Sequence, residues 1–481
     1  MRRALLVAWI ALLSACAAVG PQPSRPSDAL ANSRAANAAF LGADAAAFVR
    51  EPVPGAWWRL YQSPTLDRLV LDALAANTDL RVAAANLARA QAGLEHADAA
   101  ARPSTTLQAA PGYARRSAEE ELRPGKPLPN NTVYGVGAAV SYQLDLFGQV
   151  SRSIDAARAD VGSARAAHDA VRVTVVAETT RAFLEACSLG RELVVARRSI
   201  ELQAQSTRLV QALDRAGRGN SLDVTRSRAQ EDQVRASLPS LQSQRRLALY
   251  RLAVLTGHVP QDFPKDVEAC SVEPRLARAI PVGDGAELLR RRPDVRRAEF
   301  ELLSATARIG VATSELYPRI SLGASIGSVG LAKNFLDADT FKFSLGPLIT
   351  WQFPDRSRTR ARIHLAEAEQ QATVARFDGA VLNALKETES ALDTYARDLE
   401  RRAILERARE NAARAAHDTE QLFALGRSGH LPVLDAQRTL TSVEQSVALA
   451  DSKLAADQVN LFLSLGGGWE DATPAQRVSQ R

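Results

Sequence analysis

Three stretches of the chain alternate strictly between large apolar and small or polar residues, a fourth does so more weakly, and all four are interleaved with helical runs. Across 134–146 one parity reads Tyr134, Val136, Ala138, Val140, Tyr142, Leu144, Leu146, and the other Gly135, Gly137, Ala139, Ser141, Gln143, Asp145. Across 343–353, Phe343, Leu345, Pro347, Ile349, Trp351 and Phe353 oppose Ser344, Gly346, Leu348, Thr350 and Gln352. Ile320, Leu322, Ala324 and Ile326 oppose Ser321, Gly323, Ser325 and Gly327, and 104–113 alternates more weakly. A period of two predicts strands. Bulky residues on one face and small or polar ones on the other is the pattern of a strand with lipid outside and water inside. A soluble sandwich would instead bury its bulky face. Alternation alone does not say which way a face points, so both readings stay open.

The helical runs carry a seven-residue spacing: Val176 with Phe183, Leu193 with Ile200, Leu202 with Leu209, and Leu385, Leu392 and Leu399. That is the coiled-coil period. Residues 151–214 and 358–425 hold no Pro and few Gly. Each run therefore predicts one helix of roughly 64 residues, approaching ~100 Å at 1.5 Å per residue.

The order of elements is written twice. Asp79-Leu80-Arg81 opens a helical run that ends at Arg102-Pro103 before Ser104-Thr105-Thr106-Leu107, and Asp294-Val295-Arg296 opens another that ends at Tyr317-Pro318 before Arg319-Ile320-Ser321-Leu322. Ala216-Gly217-Arg218-Gly219 recurs as Leu425-Gly426-Arg427-Ser428-Gly429, each between two long helices. Each half reads helix, strand, loop, strand, long helix, tight turn, helix. Gly217, Gly219, Gly426 and Gly429 are read as the residues that permit the tight reversals.

Four strands cannot close a barrel, and an open sheet in lipid strands backbone groups at several kcal/mol each. The strands must then come from several copies, and three chains would supply twelve, enough for an aqueous lumen. Polar loops at 115–131 and 329–340 would cap the external end.

Composition narrows the picture. The 481 residues are 46% hydrophobic but only 5% aromatic, and much of the apolar share is Ala, which suits close helix packing better than a globular core. Sixty basic and 54 acidic residues are interspersed, for a net charge of +6, as on solvated helix faces. The N-terminus runs Met1-Arg2-Arg3, an apolar core over 4–13, then Leu13-Ser14-Ala15-Cys16. This is a secretory signal whose end matches the bacterial lipobox, with Cys16 as the lipid-modified residue. No later stretch of 18 apolar residues predicts a transmembrane helix. Cys187 and Cys270 show no metal spacing, and whether they pair is left open. The six His are scattered, without His-x-x-x-His or a Cys or carboxylate cluster. No phosphate loop or nucleophile elbow is present either, so neither an enzyme nor a metal site is expected. The triple Arg at 290–292 precedes Pro293-Asp294, a helix start, and the export signal argues against a nucleic-acid partner.

Together these residues resemble the outer-membrane factors of tripartite efflux systems, the TolC-like proteins, in their lipoprotein (NodT-type) branch. The resemblance rests on the Leu288–Val295 stretch containing Arg-Arg-Arg-Pro-Asp, on Leu434-Asp435-Ala436-Gln437-Arg438, on Leu465-Gly466-Gly467-Gly468-Trp469 and on Asp145-Leu146-Phe147-Gly148. It implies a mainly α chain with membrane β-strands: a homotrimer with a twelve-stranded barrel, four strands per chain, continued by a long periplasmic α-helical barrel. It also implies a periplasmic adaptor (membrane fusion) protein and an inner-membrane pump of the resistance-nodulation-division type as partners, and outer-membrane lipid as surroundings. No cofactor is implied beyond the covalent N-acyl and S-diacylglycerol lipid on Cys16. At the hairpin tips Leu431 and Asp435, one helical turn apart, match gate positions. Phe423 stands where the family usually has Tyr, and 353–357 lacks the usual Gly.

The expected organisation is a signal peptide over 1–15 and a lipidated extended tether over 16–56, then repeats over 57–270 and 285–465. A linker over 271–284 separates the repeats, and a tail covers 466–481. The expected role is passive conduction of small molecules out of the cell. A type I protein-secretion duct and a structural periplasmic coiled coil remain alternatives.

Overall fold

The structure, a computed structural model, describes residues 18–119, 124–276, 278–351, 353 and 356–468. The signal peptide, Cys16 and Trp469 therefore lie outside the described residues. After two short 3-10 turns come β1 (Phe48–Val49), a 3-10 turn at Trp57–Tyr61, α1 (Pro64–Ala76) and α2 (Thr78–Ala99). The strands β2 (Ser104–Ala109), β3 (Gly112–Ala114) and β4 (Asn131–Leu144) follow, then α3 (Gln149–Arg215) and α4 (Ser221–Leu255). The rest comprises α5 (Lys265–Glu268), β5 (Ile280–Pro281), α6 (Gly285–Arg291), α7 (Pro293–Ser314), β6 (Arg319–Leu331), β7 (Phe341–Thr350), α8 (Ser357–Ala424) and α9 (His430–Ser464). Both long helices end within two residues of the pattern-based bounds. At 67 and 68 residues, α3 and α8 are each about 100 Å long.

The chain divides into two compact units, and these are not the two repeats. Among the described residues, one unit takes the segments within 18–27, 86–164 and 297–377, the other those within 28–85, 165–296 and 378–468. Equivalent spans of both repeats thus meet in each unit.

The first unit holds the sheet, in the order β2-β4-β6-β7 with β3 also on β4, all antiparallel. β2 and β3 are one strand interrupted. Ser104 lies opposite Ser141 and Ala114 opposite Asn131 in unbroken register, with Ala110 and Gly135 exchanging backbone bonds of 2.7 and 3.0 Å. The break falls at Pro111, which has no N–H to give the ladder. Four strands per chain is therefore the right reading of five labelled segments. β6 runs on to Leu331 and β7 begins at Phe341, so the second loop is shorter than the 329–340 expected. Tyr134, on the bulky parity, is claimed by that loop. Its hydroxyl accepts from Leu336 N–H at 2.8 Å and bonds Ser328 Oγ at 2.6 Å, with its ring against Phe335.

The Asp145–Gly148 motif turns the sheet into α3. The Asp145 carboxylate accepts from the backbone N–H groups of Val150 and Ser151, while Phe147 stacks on Tyr317 at 4.6 Å. In the second unit Trp57, Trp58, Leu184, Leu252, Leu392 and Phe462 are fully buried, and Trp57 stacks on Phe462 at 4.5 Å. A side chain at Gly467 would lie 2.9 Å from the Trp57 ring, which accounts for the middle of the Gly-Gly-Gly run. Of the triple Arg, Arg292 is buried and bonded to Asp294, to Glu387 and to the Ser464 carbonyl.

The tether is not loose. Phe40, Phe48 and Val53 are buried, β1 pairs parallel with β5, and the Glu389 carboxylate accepts from the N–H groups of Leu41 and Gly42. The inter-repeat linker is fastened too. Cys187, wholly buried on α3, is disulfide-bonded to Cys270 across a separation of 83 residues. Three residues on, Glu273 lies 3.7 Å from Arg191, which also holds Asp451 at 2.8 Å. Burial raises the Glu273 carboxyl to about 7, with Asp451 and Glu192 adding to the rise and Arg191 opposing it.

Candidate functional site

Two features of the chain have no use inside one protomer. The first is the outer face of the sheet. The register aligns Leu107, Ala138, Ile326 and Phe343 in one row, and Val140, Ala324 and Leu345 in the next. These side chains are uncovered, with Phe343 84% and Leu345 83% exposed. A soluble sandwich would bury this face, so that alternative falls. The opposite face carries Ser141, Ser321, Ser325, Gly323, Ser344 and Gly346, with Ser325 and Ser344 bonded hydroxyl to hydroxyl at 2.7 Å. β2 and β7 are the sheet edges, and every residue of both is exposed. Below β7, Trp351 lies against Phe353 at 5.1 Å with Arg356 over both rings, an aromatic and basic cluster of the kind that sits at a membrane interface.

The second feature is the pair of hairpin tips in the other unit. Each long helix ends in the same cap: Gly217 N–H to the Asp214 carbonyl with Arg218 N–H to Leu213, and Gly426 N–H to Phe423 with Arg427 N–H to Leu422. Gly217 and Gly426 stand at φ of 69° and 70°, so glycine is required there. Gly219 is required for a different reason, since a side chain would press on the backbone of Asp214 at 2.8 Å. Gly429 is required by neither: its φ is −75° and a side chain would meet open space. Its place in the expected set of turn glycines has no conformational cause.

The Leu434–Arg438 motif ties the tips together. Leu434 is buried, Gln437 donates to Glu420 on α8 at 2.9 Å, and Arg438 donates to Gln230 on α4 at 2.8 Å. Within the first hairpin, Thr207 and Ser227 bond hydroxyl to hydroxyl at 3.0 Å in a buried seam. Leu431 and Asp435 both point outward from α9, away from buried Val433 and Leu434. The structure thus brings Leu431 and Asp435 onto one free face and forms no ion pair with Asp435 among the described residues. Leu202 and Leu209, expected in a heptad seam, are 52% and 50% exposed.

Sequence reasoning passed over one residue here. His430, the first residue of α9, is buried between the tips. Its ring lies 5.3 Å from that of Phe423, and both of its nitrogens are enclosed without a hydrogen-bond partner. Burial lowers the pKa of this imidazole, and Asp223 on α4 works in the other direction. Nothing in the spacing of His430 from the other five His singles it out in the sequence.

Residues 69–258 and 286–467 match the outer membrane efflux protein family, one span in each repeat. The chain is 31% identical over 424 residues to the outer membrane protein OprJ of Pseudomonas aeruginosa, covering 86% of each. It is 27% identical over 460 residues to nodulation protein T of Rhizobium leguminosarum bv. viciae, covering 95% of this chain and 92% of that one. Among solved structures, the outer-membrane channel OprN superposes with a TM-score of 0.86 at 32% identity, over 94% of this chain and 99% of that one.

Proposed function

This chain belongs to the outer membrane efflux protein family, and from that premise we propose that three copies form a closed duct carrying small molecules from a periplasmic adaptor and an inner-membrane pump to the exterior. Location in the outer membrane and a part in efflux follow from the family. The observation that carries the rest is the open sheet, with its bulky face uncovered and both edges unpaired. In lipid each unpaired backbone group costs several kcal/mol, so β7 of one copy must meet β2 of the next until the ring closes. Three chains make twelve strands. Exposed Leu202 and Leu209 supply apolar surface for the same neighbours or for the adaptor.

The duct is not an enzyme in this reading. The pump supplies the energy, and this chain supplies a water-filled path and a gate. Cys16 carries the N-acyl and S-diacylglycerol lipid, which holds the chain stably to the outer-membrane bilayer. Three copies of Asp435 facing an axis would repel one another and concentrate cations, and with Leu431 they form the resting constriction. Trimers bearing Asp435→Ala are expected to conduct more readily than wild type in planar bilayers; equal conductance removes Asp435 from the gate.

The test of the whole reading is accumulation of fluorescent pump substrates in a deletion strain with and without the gene restored. Accumulation that rises on deletion and falls on restoration is expected. An unchanged level across several dyes and antibiotics would move the assignment to protein secretion, for which loss of a secreted polypeptide from the medium is the readout.

A further inference from the structure

We propose that His430 is the locking residue of the resting gate: its neutral imidazole fills the seam between the hairpin tips, and proton uptake unseats it and frees them. The inference rests on the duct reading and adds a residue that neither the motifs nor the turn glycines point to.

His430 is 6% exposed, its ring lies against that of Phe423 of α8, and Asp223 of α4 is the charge acting on it. Neither ring nitrogen has a partner. A phenyl ring would fill such a socket without leaving a donor unsatisfied, so imidazole is the costlier occupant at neutral pH. What imidazole adds is the capacity to become charged. A cation there would bury two unpaired N–H donors and a net charge, at the N-terminus of a 35-residue helix whose dipole already disfavours positive charge. The seat therefore accepts the neutral ring and rejects the protonated one.

The surrounding charges say where an imidazolium would go. Asp223, in the first turn of α4, is the charged group acting on His430. Its carboxylate is otherwise met by Asn220 Nδ2 at 3.0 Å and, more loosely, by Arg226 at 3.9 Å. Of the charged groups tied into the tips, Glu420 of α8 accepts from Gln437 and Arg438 of α9 donates to Gln230. Leaving the socket for Asp223 would carry the first turn of α9 with it. That turn holds Leu431, and Asp435 follows one turn later on the same face. A proton taken up at 430 is thereby converted into movement of the constriction.

The test is single-trimer conductance in planar bilayers, read while the pH is lowered from 8 to 5. Wild type is expected to open on acidification, by up to about tenfold in open probability for each pH unit separating the proton affinities of the two states. His430→Phe should keep the socket filled and abolish the acid response. His430→Gln serves the same purpose should the Phe variant fail to form trimers. Asp223→Asn should move the response to lower pH. The imidazole resonances of wild-type trimers, assigned by their loss in His430→Gln, should titrate over the range in which the conductance changes. An acid response retained in both His430 variants, or a ring that stays neutral while the channel opens, would overturn the lock. A wild-type trimer that conducts equally at all pH values would overturn it as well. Trimers that never conduct, with or without Asp435→Ala, would bring down the duct reading itself.

Discussion

Replacing both Cys187 and Cys270 with Ala removes a covalent tie between α3 and the end of the first repeat, immediately before the linker. The bond closes a loop across 83 residues of separation. Loop-closure entropy for that length is about 15 cal/mol/K, or ~4.5 kcal/mol at room temperature, acting mainly on the unfolded chain. Residual structure of the α3–α4 hairpin in that chain makes this a ceiling. A chain of 481 residues unfolds with an entropy of about 1 kcal/mol/K, so the midpoint should fall by ~4–5 °C. The assay is far-UV circular dichroism of detergent-solubilised trimers, under conditions where cooling restores the signal. The periplasm is oxidising, so wild type should carry the bond without added oxidant. A double variant that is trimeric and melts within 1 °C of wild type would refute the reasoning, and would mean that Gly190 and Arg245, which crowd the Cys270 carbonyl, already hold the linker.

Three further outcomes are expected. Leu345→Arg sets a charge on the outward face of β7 at about 2–4 kcal/mol per copy, so trimers should vanish from the outer-membrane fraction, whereas Ser344→Arg on the inward parity should assemble; equal behaviour would undo the assignment of faces. Glu273 holds its proton up to about pH 7 in the folded chain against an ordinary 4.5. Its contribution is therefore present at acid pH and lost as pH rises through 7. Wild type should melt lower at pH 8 than at pH 5.5 and Glu273→Gln should flatten the difference; a slope that survives the substitution points to another group. Arg292→Ala leaves the Ser464 carbonyl without its buried donor, while half-exposed Asp294 and Glu387 regain water, and should cost about 1–3 kcal/mol in the same melting assay. Arg292→Lys should recover only part, because an ammonium lacks the planar fork that serves all three, and full recovery would show that charge alone matters.

Local periodicity carried much of this molecule. A run of about 65 residues without Pro has few alternatives to a helix, and a strict period of two has few alternatives to a strand, so both long helices and all four strands were legible. The duplication was legible for the same reason, since both repeats keep the same order of elements. What escaped depends on who meets whom in space. The spacing of Cys187 and Cys270 says nothing about a linker folding back on α3. Tyr134 has the parity of a lipid-facing residue, yet a loop two hundred positions away takes its hydroxyl. The tether, rich in Pro and Ala, has no period, and only the helices beneath it give Phe40 and Phe48 somewhere to be buried. His430 looks like one of six scattered histidines in the sequence, and only the fold buries both of its ring nitrogens.

The sheet has one further consequence. In the order β2-β4-β6-β7, the central seam joins the second strand of the first repeat to the first strand of the second. A neighbouring copy laid against β7 would offer its β2, which is again the first strand of a repeat meeting the second strand of another. The contact between chains is thus already rehearsed inside each chain, and a ring of three is a quasi-sixfold array of hairpins. Three of its six seams are inherited with the polypeptide and form as soon as the chain folds. Only the other three await a partner, and those alone can come apart without unfolding a subunit.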